Sequence, residues 1–513
     1  MTRAQDDAAG ETRRAGRGLF AIAGAKVYFI LTAYGIQLAL PRLLGSPEAF
    51  GLYAAALSAV SMLNMILIAA TIQSVSKFVA EDEGASPALL RQGLRIQLAL
   101  GGLLAGGLFL AAGPLATFLR DDALAPLLRV AAGVVFAYAI YAAVVGSLNG
   151  RHLFQRQAQL DMTFSTLRTG GILGGAALGF GALGAMAGFA SAATGIMLVS
   201  LVVVARELGA RGRHEGKVPL KRWLAFMAPI WAYQAFLNGV LQIDVQVMKK
   251  AVAELAMDHG AALADAATTA STQVGFYRAA QTFAFVPYQL ILAMTFIIFP
   301  MISRATAAGD RDGARRTIRG AMRFSLLVLL SVATPMAGAA DGVMRVAYPE
   351  EYLAGAPALG ILVFGLVAFA LFVIAATVLS SSGAPTTAAA IAAFALVVVV
   401  VANWFFIRAA EPGEGVLVAA ATATTLGTTL ACLGAGVAVF TRFRTFLPPA
   451  SVIRGLLAGA AAFGVAHGVP HDTRLMALVA LAAGFVTFVA ALFLTRELRG
   501  EDLRTAKAVL SRR

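Results

Sequence analysis

Charged residues are scarce in this chain. They make up 13% of its 513 residues, and 59% of the residues are hydrophobic, with a mean hydropathy of +0.79. A soluble domain carries about 25% charged residues, whereas a membrane-spanning helix needs about 20 consecutive apolar ones. About 14 such helices fit into the apolar runs, and only short loops remain. The sequence therefore predicts an all-α polytopic membrane protein without a separate soluble catalytic domain.

Cysteine is nearly absent, since Cys432 in an apolar run is the only one. A single thiol excludes intrachain disulfides and CxxC metal sites. His467 and His471 have the four-residue spacing of helical metal ligands, but Gly468 and Pro470 between them indicate an outer turn. The chain also lacks the G-x-x-x-x-G-K-S/T phosphate loop and the H-E-x-x-H zinc motif. We therefore expect no enzymatic activity, no cofactor and no metal site.

The net charge of +14 would suggest a nucleic-acid partner if the protein were soluble. Most lysines and arginines, however, lie in the two tails and in the even-numbered loops between apolar segments. By the positive-inside rule, this distribution places both termini in the cytoplasm and explains the excess charge without nucleic acid. The most basic loops, 206–222 and 304–323, would lie near anionic lipid headgroups.

An internal repeat relates the two halves of the chain. Residues 51–53 (Gly-Leu-Tyr) match residues 275–277 (Gly-Phe-Tyr), and the acidic segment 121–126 matches 350–357 at nearly the same offset. Two units of six helices each, inserted in the same direction, predict a pseudo-twofold axis along the membrane normal, an arrangement typical of transporters. A repeat retained only for packing is the alternative.

The apolar runs and the repeat together divide the chain into six segments. They are a cytoplasmic basic tail at 1–17, an N-lobe of six helices at 18–205, a cytoplasmic basic linker at 206–222, a C-lobe of six helices at 223–440, two appended helices at 441–495 and a cytoplasmic tail at 496–513.

Ionisable side chains inside membrane spans are costly and usually face a wet cavity. Lys26 and Arg168 lie inside the first and fifth predicted spans, in the half nearer the cytoplasm. Both are cationic, as binding of an anionic headgroup from the inner leaflet requires. The alternative is that each long side chain extends back to the inner headgroups. Arg129 and Arg278 lie at the outer ends of spans, where Arg129 is interpreted as an interface anchor.

Polar residues concentrate in spans one, two, seven and eight. Gln234 and Asn238 are i, i+4 neighbours and share one face of span seven, predicted at 223–243, as the wall of a hydrophilic cavity would require. Interhelical hydrogen bonding is the alternative. Asp244 follows at the outer end of that span, where it could couple a proton or cation, although capping or anchoring is the commoner role.

Three features predict local structure. Glycines 171, 175, 179, 184 and 188 predict close packing of spans five and six. Pro229 interrupts span seven and Pro287 interrupts span eight, predicted at 275–302, and both prolines permit bending. Residues 251–272 are predicted to form an unusually long, Ala-rich outer loop that could contain a short helix, with no role assigned.

Four segments carry a resemblance to a known family. They are residues 43–53 after the first span, 228–244 in the seventh, 275–304 in the eighth and 351–357 before the tenth. In this order and spacing, the chain resembles the polysaccharide transporter and O-antigen flippase (Wzx-type) families of the MATE-like flippase superfamily.

The resemblance implies two six-helix lobes forming a V around a central cationic cavity. It further implies translocation of undecaprenyl-pyrophosphate-linked oligosaccharide from the inner to the outer leaflet of a bacterial inner membrane. On this basis the expected cavity residues are Lys26, Arg168, Gln234, Asn238 and Arg278, with Asp244 for possible ion coupling. Expected partners are the lipid-linked oligosaccharide, membrane lipids, and a polymerase or export machinery, and the protein is expected to be monomeric.

Two alternatives share the fold, and a third does not. A lipid II flippase would have an arginine-rich first span, where this chain has Lys26. A MATE-type multidrug or cation antiporter would need acidic residues deep in the lobes, and the sequence places none well inside a span. A membrane-bound polymerase or ligase would need an extended outer loop with a catalytic set, which the sequence also does not show.

Overall fold

The computed structural model describes residues 2–207 and 216–498, and these residues form helices and turns without a strand. The chain divides into two compact units, Met1–Gly275 and Phe276–Arg513. Within these two ranges, twelve helical segments are long and apolar enough to cross a membrane. The structure therefore confirms the predicted all-α polytopic membrane fold.

The described part of the first unit contains seven α-helices and most of an eighth. They are α1 (Thr2–Leu44), α2 (Pro47–Glu81), α3 (Ser86–Phe118), α4 (Leu124–Gly150), α5 (Phe154–Gly175), α6 (Gly181–Glu207), α7 (Leu220–Asp258) and α8 (Leu263–Ala284), of which α8 continues into the second unit.

Local sequence determines where several of these helices begin. The Ser46 hydroxyl accepts a hydrogen bond from the Ala49 amide at 3.2 Å, and Pro47 follows at the first helical position, so α2 starts with both a side-chain cap and a preset backbone. The helix that begins at Arg311 in the second unit also has a side-chain cap, because the Asp310 carboxylate accepts a hydrogen bond from the Gly313 amide at 2.7 Å.

The predicted glycine packing between spans five and six is confirmed for glycines 171, 175, 184 and 188, whereas Gly179 lies in the turn. A Cβ atom added at Gly171 would lie 2.3 Å from the carbonyl oxygen of Gly188, and one added at Gly175 would lie 2.1 Å from that of Gly184. The 53-residue apolar segment Phe154–Arg206 turns back on itself here, because Gly179 and Gly181 both have positive φ. It therefore contains two crossings, as the sequence predicts.

The second unit contains the remaining helices. They are α9 (Val286–Ala307), α10 (Arg311–Gly338), the short α11 (Ala340–Ala347), α12 (Ala356–Ser381), α13 (Pro385–Ala409), α14 (Glu414–Phe443), α15 (Pro449–Gly468) and α16 (Arg474–Leu494). The most apolar, α12, is also the most buried, so it forms the centre of this unit.

The two appended helices pack on α10. A Cβ atom at Gly338 would lie 2.5 Å from the Phe463 carbonyl oxygen on α15, and one at Gly484 on α16 would lie 2.9 Å from Pro335. Small residues at these crossings let the helix backbones approach closely. The predicted segment boundaries, including the division into an N-lobe and a C-lobe, stay a prediction.

Of two local predictions in the middle of the chain, one is wrong and one is confirmed. The expected loop at 251–272 is helical, because α7 continues to Asp258 and α8 begins at Leu263 after a tight turn with Gly260 at positive φ. Alanine has the highest helix propensity, which explains why this Ala-rich stretch extends the helices. The predicted interruption of span eight (275–302) at Pro287 is confirmed, because α8 ends at Ala284 and α9 has Pro287 in its first turn. Helix α7, in contrast, runs without a break through Pro229.

Candidate functional site

The structure places Lys26 and Arg168 near each other in the first unit. The guanidinium carbon of Arg168 on α5 lies 4.1 Å from the ring centroid of Phe29 on α1 and 5.9 Å from that of Phe164. Phe29 lies three residues after Lys26, so it occupies nearly the same face of α1 one turn further along. Two cations predicted separately therefore lie on neighbouring helices at a similar level.

Arg168 has unused hydrogen-bonding capacity. Its Nε and Nη2 atoms are buried and have no hydrogen-bond partner among the residues that the structure describes. Tyr138 on α4 interacts with its guanidinium group, while the flanking aromatic rings fix the orientation of the plane. A buried donor without a partner is unfavourable, and an arginine fork matches the oxygens of a phosphate or carboxylate. This geometry suits an anionic ligand.

Asp161 is the part of this site that the sequence interpretation missed. Its Oδ1 atom accepts a hydrogen bond from the Tyr141 hydroxyl at 2.7 Å, and it also interacts with Lys26 and with the Gln157 side chain. The fifth span was predicted to begin at residue 162, immediately after Asp161. The helix instead begins at Phe154, which places the carboxylate two turns inside it.

A periodicity in the sequence could have indicated this carboxylate. Asp161, Ser165 and Arg168 follow the i, i+4, i+7 spacing of one helix face, and the Ser165 hydroxyl donates to the Asp161 carbonyl oxygen at 2.8 Å. Helix α5 thus carries an acidic side chain that the predicted fifth span did not include, and the expectation that no acidic residue lies well inside a span stays a prediction. We use the name cation cluster for Lys26, Arg168 and Asp161 together with Tyr138 and Tyr141.

The two amides of span seven are half-buried on α7. The Asn238 amide nitrogen donates to the backbone carbonyl of Gln234 at 2.9 Å, which is a bond within one helix rather than between helices. Farther along, α7 packs against α2. The Ser58 hydroxyl donates to the backbone carbonyl oxygen of Gln242 at 2.8 Å, and the side-chain amide of Gln246 donates to the backbone carbonyl oxygen of Ala55 at 2.7 Å. The amides therefore belong to a helix fixed within the first unit.

The sequence predicts that Asp244 ends its helix at the outer surface, and this prediction is wrong. Its side chain is fully buried, and its Oδ1 atom accepts from the Val245 amide at 2.8 Å. The prediction failed because α7 continues for fourteen residues beyond Asp244, to Asp258. A role for Asp244 in ion coupling stays a prediction.

A buried charge pair lies elsewhere in the same unit. Lys249 on α7 has no exposed surface, and its Nζ atom lies 2.5 Å from the Asp121 carboxylate in the loop between α3 and α4. Lys249 also donates to the Ala267 carbonyl oxygen at 2.9 Å and to the Ser271 hydroxyl on α8. The pair therefore connects three segments. It borders a cavity of about 300 Å³ whose lining includes Glu48.

Arg278, the remaining predicted cavity residue, belongs to the second unit. Its Nη1 atom donates to the Gln281 side-chain oxygen one turn later on α8 at 2.6 Å. The predicted site residues Lys26, Arg168, Gln234, Asn238 and Asp244 all belong to the first unit. Within the described ranges, no group of three or more His, Cys, Asp or Glu side chains is arranged to hold a metal ion.

The arrangement of the helices matches that of a known class of membrane proteins. The chain superposes on lipid II flippase MurJ in an inward closed conformation with a TM-score of 0.71 at 13% identity, covering 93% of this chain and 99% of that one. An inward-facing multidrug resistance MATE family transporter of the MOP superfamily matches with a TM-score of 0.60 at 16% identity, covering 81% of this chain and 95% of that one.

A MOP superfamily transporter from Pyrococcus furiosus, described as having a binding pocket of reverse polarity, matches with a TM-score of 0.58 at 15% identity, covering 84% and 96%. The chain therefore has the fold shared by MOP superfamily flippases and multidrug transporters. The family model for polysaccharide biosynthesis proteins matches residues 15–306, and the chain belongs to that family. Comparison of the sequence with curated proteins gives no match.

Proposed function

We propose that the protein is a flippase that moves undecaprenyl-pyrophosphate-linked oligosaccharide from the inner to the outer leaflet by alternating access. Membership of the polysaccharide biosynthesis family and the fold of flippases and transporters support this proposal. The observation that carries it is Arg168, whose buried Nε and Nη2 atoms lack a hydrogen-bond partner in the described part of the chain and whose guanidinium carbon lies 4.1 Å from the ring of Phe29, one turn from Lys26 on α1.

In this proposal the lipid tail stays in the bilayer while the pyrophosphate and sugars cross along the protein. The pyrophosphate binds Arg168 through two parallel hydrogen bonds and Lys26 through a point charge, because a guanidinium fork and an ammonium group recognise phosphate in these two ways. Gln234 and Asn238 on α7 offer neutral donors and acceptors to sugar hydroxyls. Arg278 stays a proposed substrate-binding residue.

Asp161 gives the cation cluster a counter-charge when no substrate is bound. Its carboxylate interacts with Lys26 and accepts a hydrogen bond from the Tyr141 hydroxyl. The Lys26 ammonium group is therefore not an uncompensated charge inside a helical span. An arriving pyrophosphate competes with Asp161 for Lys26. Binding of the anionic headgroup is therefore an exchange of partners rather than the filling of a bare cationic site.

The second candidate function is that of a MATE-type multidrug or cation antiporter. Asp161 favours it, because a carboxylate inside a span is the group that a cation or proton antiporter needs. Lys26 and Arg168 favour the flippase, since two cations beside that carboxylate repel a cationic substrate. A flippase for lipid II is the third candidate.

Exposure of a lipid-linked oligosaccharide on the outer leaflet of proteoliposomes tests the flippase function. Lys26→Ala and Arg168→Ala are compared with Arg129→Ala, which removes an equal charge from an exposed site on α4 of the same unit. We expect the wild type and Arg129→Ala to expose the glycan, and the two cluster variants to lose most of that activity. Normal glycan exposure by both cluster variants would rule out the assigned site.

The same proteoliposomes separate the two candidate functions. A wild-type protein that moves no lipid-linked sugar but transports cationic dyes against a proton or sodium gradient is an antiporter. In that case Asp161→Asn abolishes dye transport, whereas Arg168→Ala leaves most of it. Lipid II in place of the oligosaccharide tests the third candidate.

The proposed setting is a bacterial inner membrane with both termini in the cytoplasm and the chain acting as a monomer. The basic loops on one predicted side support the orientation. A polymerase or export machinery would receive the translocated glycan. Labelling of an engineered single cysteine in either tail, in a Cys432→Ser background, tests the orientation in intact cells.

A further inference from the structure

A basic cavity lies in the second unit, away from the cation cluster. Its volume is about 460 Å³, and three arginines line it: Arg311 and Arg315 from the first turns of α10, and Arg442 from the last turn of α14. Ser382, which follows α12, contributes a hydroxyl group. The cavity is thus lined by the start of α10 and by the ends of α12 and α14, which all lie in predicted cytoplasmic loops.

The three arginines are not equivalent. Arg315 is held in place, because its Nε atom donates to the Phe443 carbonyl oxygen at 2.8 Å and its Nη1 atom donates to the Asp312 carboxylate at 3.3 Å. The side chains of Arg311 and Arg442 are exposed and make no hydrogen bond or ion pair within the described ranges. One arginine therefore fixes the wall of the cavity, while two guanidinium groups keep their donors for a ligand.

The acidic group in the cavity does not cancel this charge. Asp310 lines the cavity, but it caps α10, with its Oδ1 atom accepting from the Gly313 amide at 2.7 Å. The lining has three positive groups and one negative group, so an anion is favoured. Guanidinium forks match the tetrahedral oxygens of a phosphate.

The position of the cavity indicates where its phosphate comes from. α12 and α14 are candidate membrane spans that end at Ser381 and Phe443, so the cavity lies at the level of lipid headgroups on the predicted cytoplasmic side. α14 also exposes an apolar stripe of Leu433, Val437 and Phe440, each at least half exposed, which ends within one turn of Arg442. A headgroup in the cavity would therefore have an apolar surface nearby for its acyl chains.

We propose that this cavity, formed by Arg311, Arg315, Arg442 and Ser382, binds the phosphate of an anionic phospholipid from the cytoplasmic leaflet. Basic pockets between transmembrane helices on the cytoplasmic side are a recognised mode of lipid binding. The bound lipid would bridge the start of α10 and the end of α14. This proposal does not depend on which substrate the cation cluster carries.

The test is lipid binding by the purified full-length chain in neutral detergent, followed by native mass spectrometry and by thermal unfolding. The probes are phosphatidylglycerol, phosphatidylcholine and inorganic phosphate. The variants are Arg311→Gln/Arg442→Gln and the matched control Arg316→Gln/Arg319→Gln, which removes the same charge from exposed positions of α10 outside the cavity. The single Arg442→Gln variant at the exposed end of α14 guards against a folding defect in the double variant.

We expect phosphatidylglycerol to bind the wild type and the control equally and to raise their melting temperatures. Binding should weaken about tenfold for each cavity arginine removed, the change expected for loss of one charged hydrogen bond. Phosphatidylcholine and inorganic phosphate should bind at least tenfold more weakly. Equal retention of phosphatidylglycerol by the cavity and control variants would overturn the site. Inorganic phosphate binding as tightly as the lipid would overturn the assignment to a lipid.

Discussion

Gly51 on α2 and Gly275 on α8, which the internal repeat matches to each other, pack against one another's helices. A Cβ atom added at Gly51 would lie 1.7 Å from the carbonyl oxygen of Ser271, and one added at Gly275 would lie 2.1 Å from that of Pro47. The obstruction is backbone in both cases, so no side chain can move aside. These glycines are therefore required for α2 and α8 to cross at this distance.

Gly51→Ala is expected to destabilise the protein more than an ordinary overpacked core substitution, which costs about 1–3 kcal/mol. The two helices must separate to accommodate the methyl group, which disrupts the contacts around Ser271. Gly102→Ala is the control, because nothing lies within 4 Å of a Cβ atom there. Melting temperature in detergent is the measurement. A Gly51→Ala protein that melts with the wild type would refute the packing argument.

The sequence predicted the helices well and the local geometry at the site less well. Helices such as α15 and α16 could be located because long apolar runs bounded by Gly, Pro or charge have one stable solution in a bilayer. The glycine spacing also predicted the approach of α5 and α6. These inferences depend only on periodicity and composition.

Two carboxylates could not be placed from hydropathy. Asp161 precedes the apolar part of its span by one residue, and Asp244 follows the apolar part of its own. Hydropathy defines where a helix is apolar, whereas the helices extend beyond that part in both cases. Burial of Asp244 depends on packing between segments distant in sequence, which no local pattern encodes.

The crossing of α5 and α6 provides a stringent comparison between adjacent positions. Gly171→Ala would place a methyl group 2.3 Å from the Gly188 carbonyl oxygen, whereas Gly170 has nothing within 4 Å of a Cβ position. We expect Gly171→Ala to be destabilising by more than about 1 kcal/mol. Gly170→Ala should be neutral or stabilising, since alanine favours helix formation by up to about 1 kcal/mol over glycine.

Thermal unfolding of the two variants in the same detergent measures this difference. Because α5 also carries Arg168 and Asp161, separation of α5 from α6 should reduce glycan exposure in proteoliposomes. Equal melting temperatures for the two alanine variants would show that the crossing tolerates a methyl group.

The buried Lys249 and Asp121 pair should be strongly coupled. Removing one partner leaves the other charge buried and uncompensated, so Lys249→Met or Asp121→Asn alone should cost about 3–5 kcal/mol. The double variant should recover part of that loss, because neither charge then remains. The matched control is the pair of Lys77 and Glu81, whose charged groups are 4.0 Å apart and about 40% exposed, and whose removal should cost less than about 1 kcal/mol.

A double-mutant cycle on the free energies of unfolding measures the coupling energy in both pairs. Additive losses at Lys249 and Asp121 would contradict the proposed coupling. A coupling energy at Lys77 and Glu81 as large as that at Lys249 and Asp121 would instead show that burial is not the cause of the coupling. The coupling energies are compared rather than the single losses, because Glu81 also pairs with Arg222 at 2.9 Å.

Glu497 follows α16 and connects it to the two helices against which it packs. Its carboxylate accepts hydrogen bonds from Arg323 on α10 at 2.6 Å and from Ser451 and Arg454 on α15 at 2.5 and 2.9 Å. Burial raises the pKa of Glu497, but the hydrogen bonds from these three donors lower it by a larger amount. The pKa of Glu497 therefore lies below its usual value. A carboxyl group with a lowered pKa in the folded state stabilises that state at higher pH.

The contribution of Glu497 is therefore fully present above the unfolded pKa of 4.5 and is lost as the pH falls through the lower folded value. Glu497→Gln should cost about 1–3 kcal/mol at neutral pH, since both arginines are more than a third exposed and solvent weakens the ion pairs. The melting temperatures of wild type and variant, measured from pH 7 down to about 3, should converge on the acid side. Glu411→Gln, at an exposed position in the same unit, should differ little from wild type at any pH. A gap between wild type and Glu497→Gln that stays constant with pH would mean that the carboxylate charge does not hold α16 to α10 and α15.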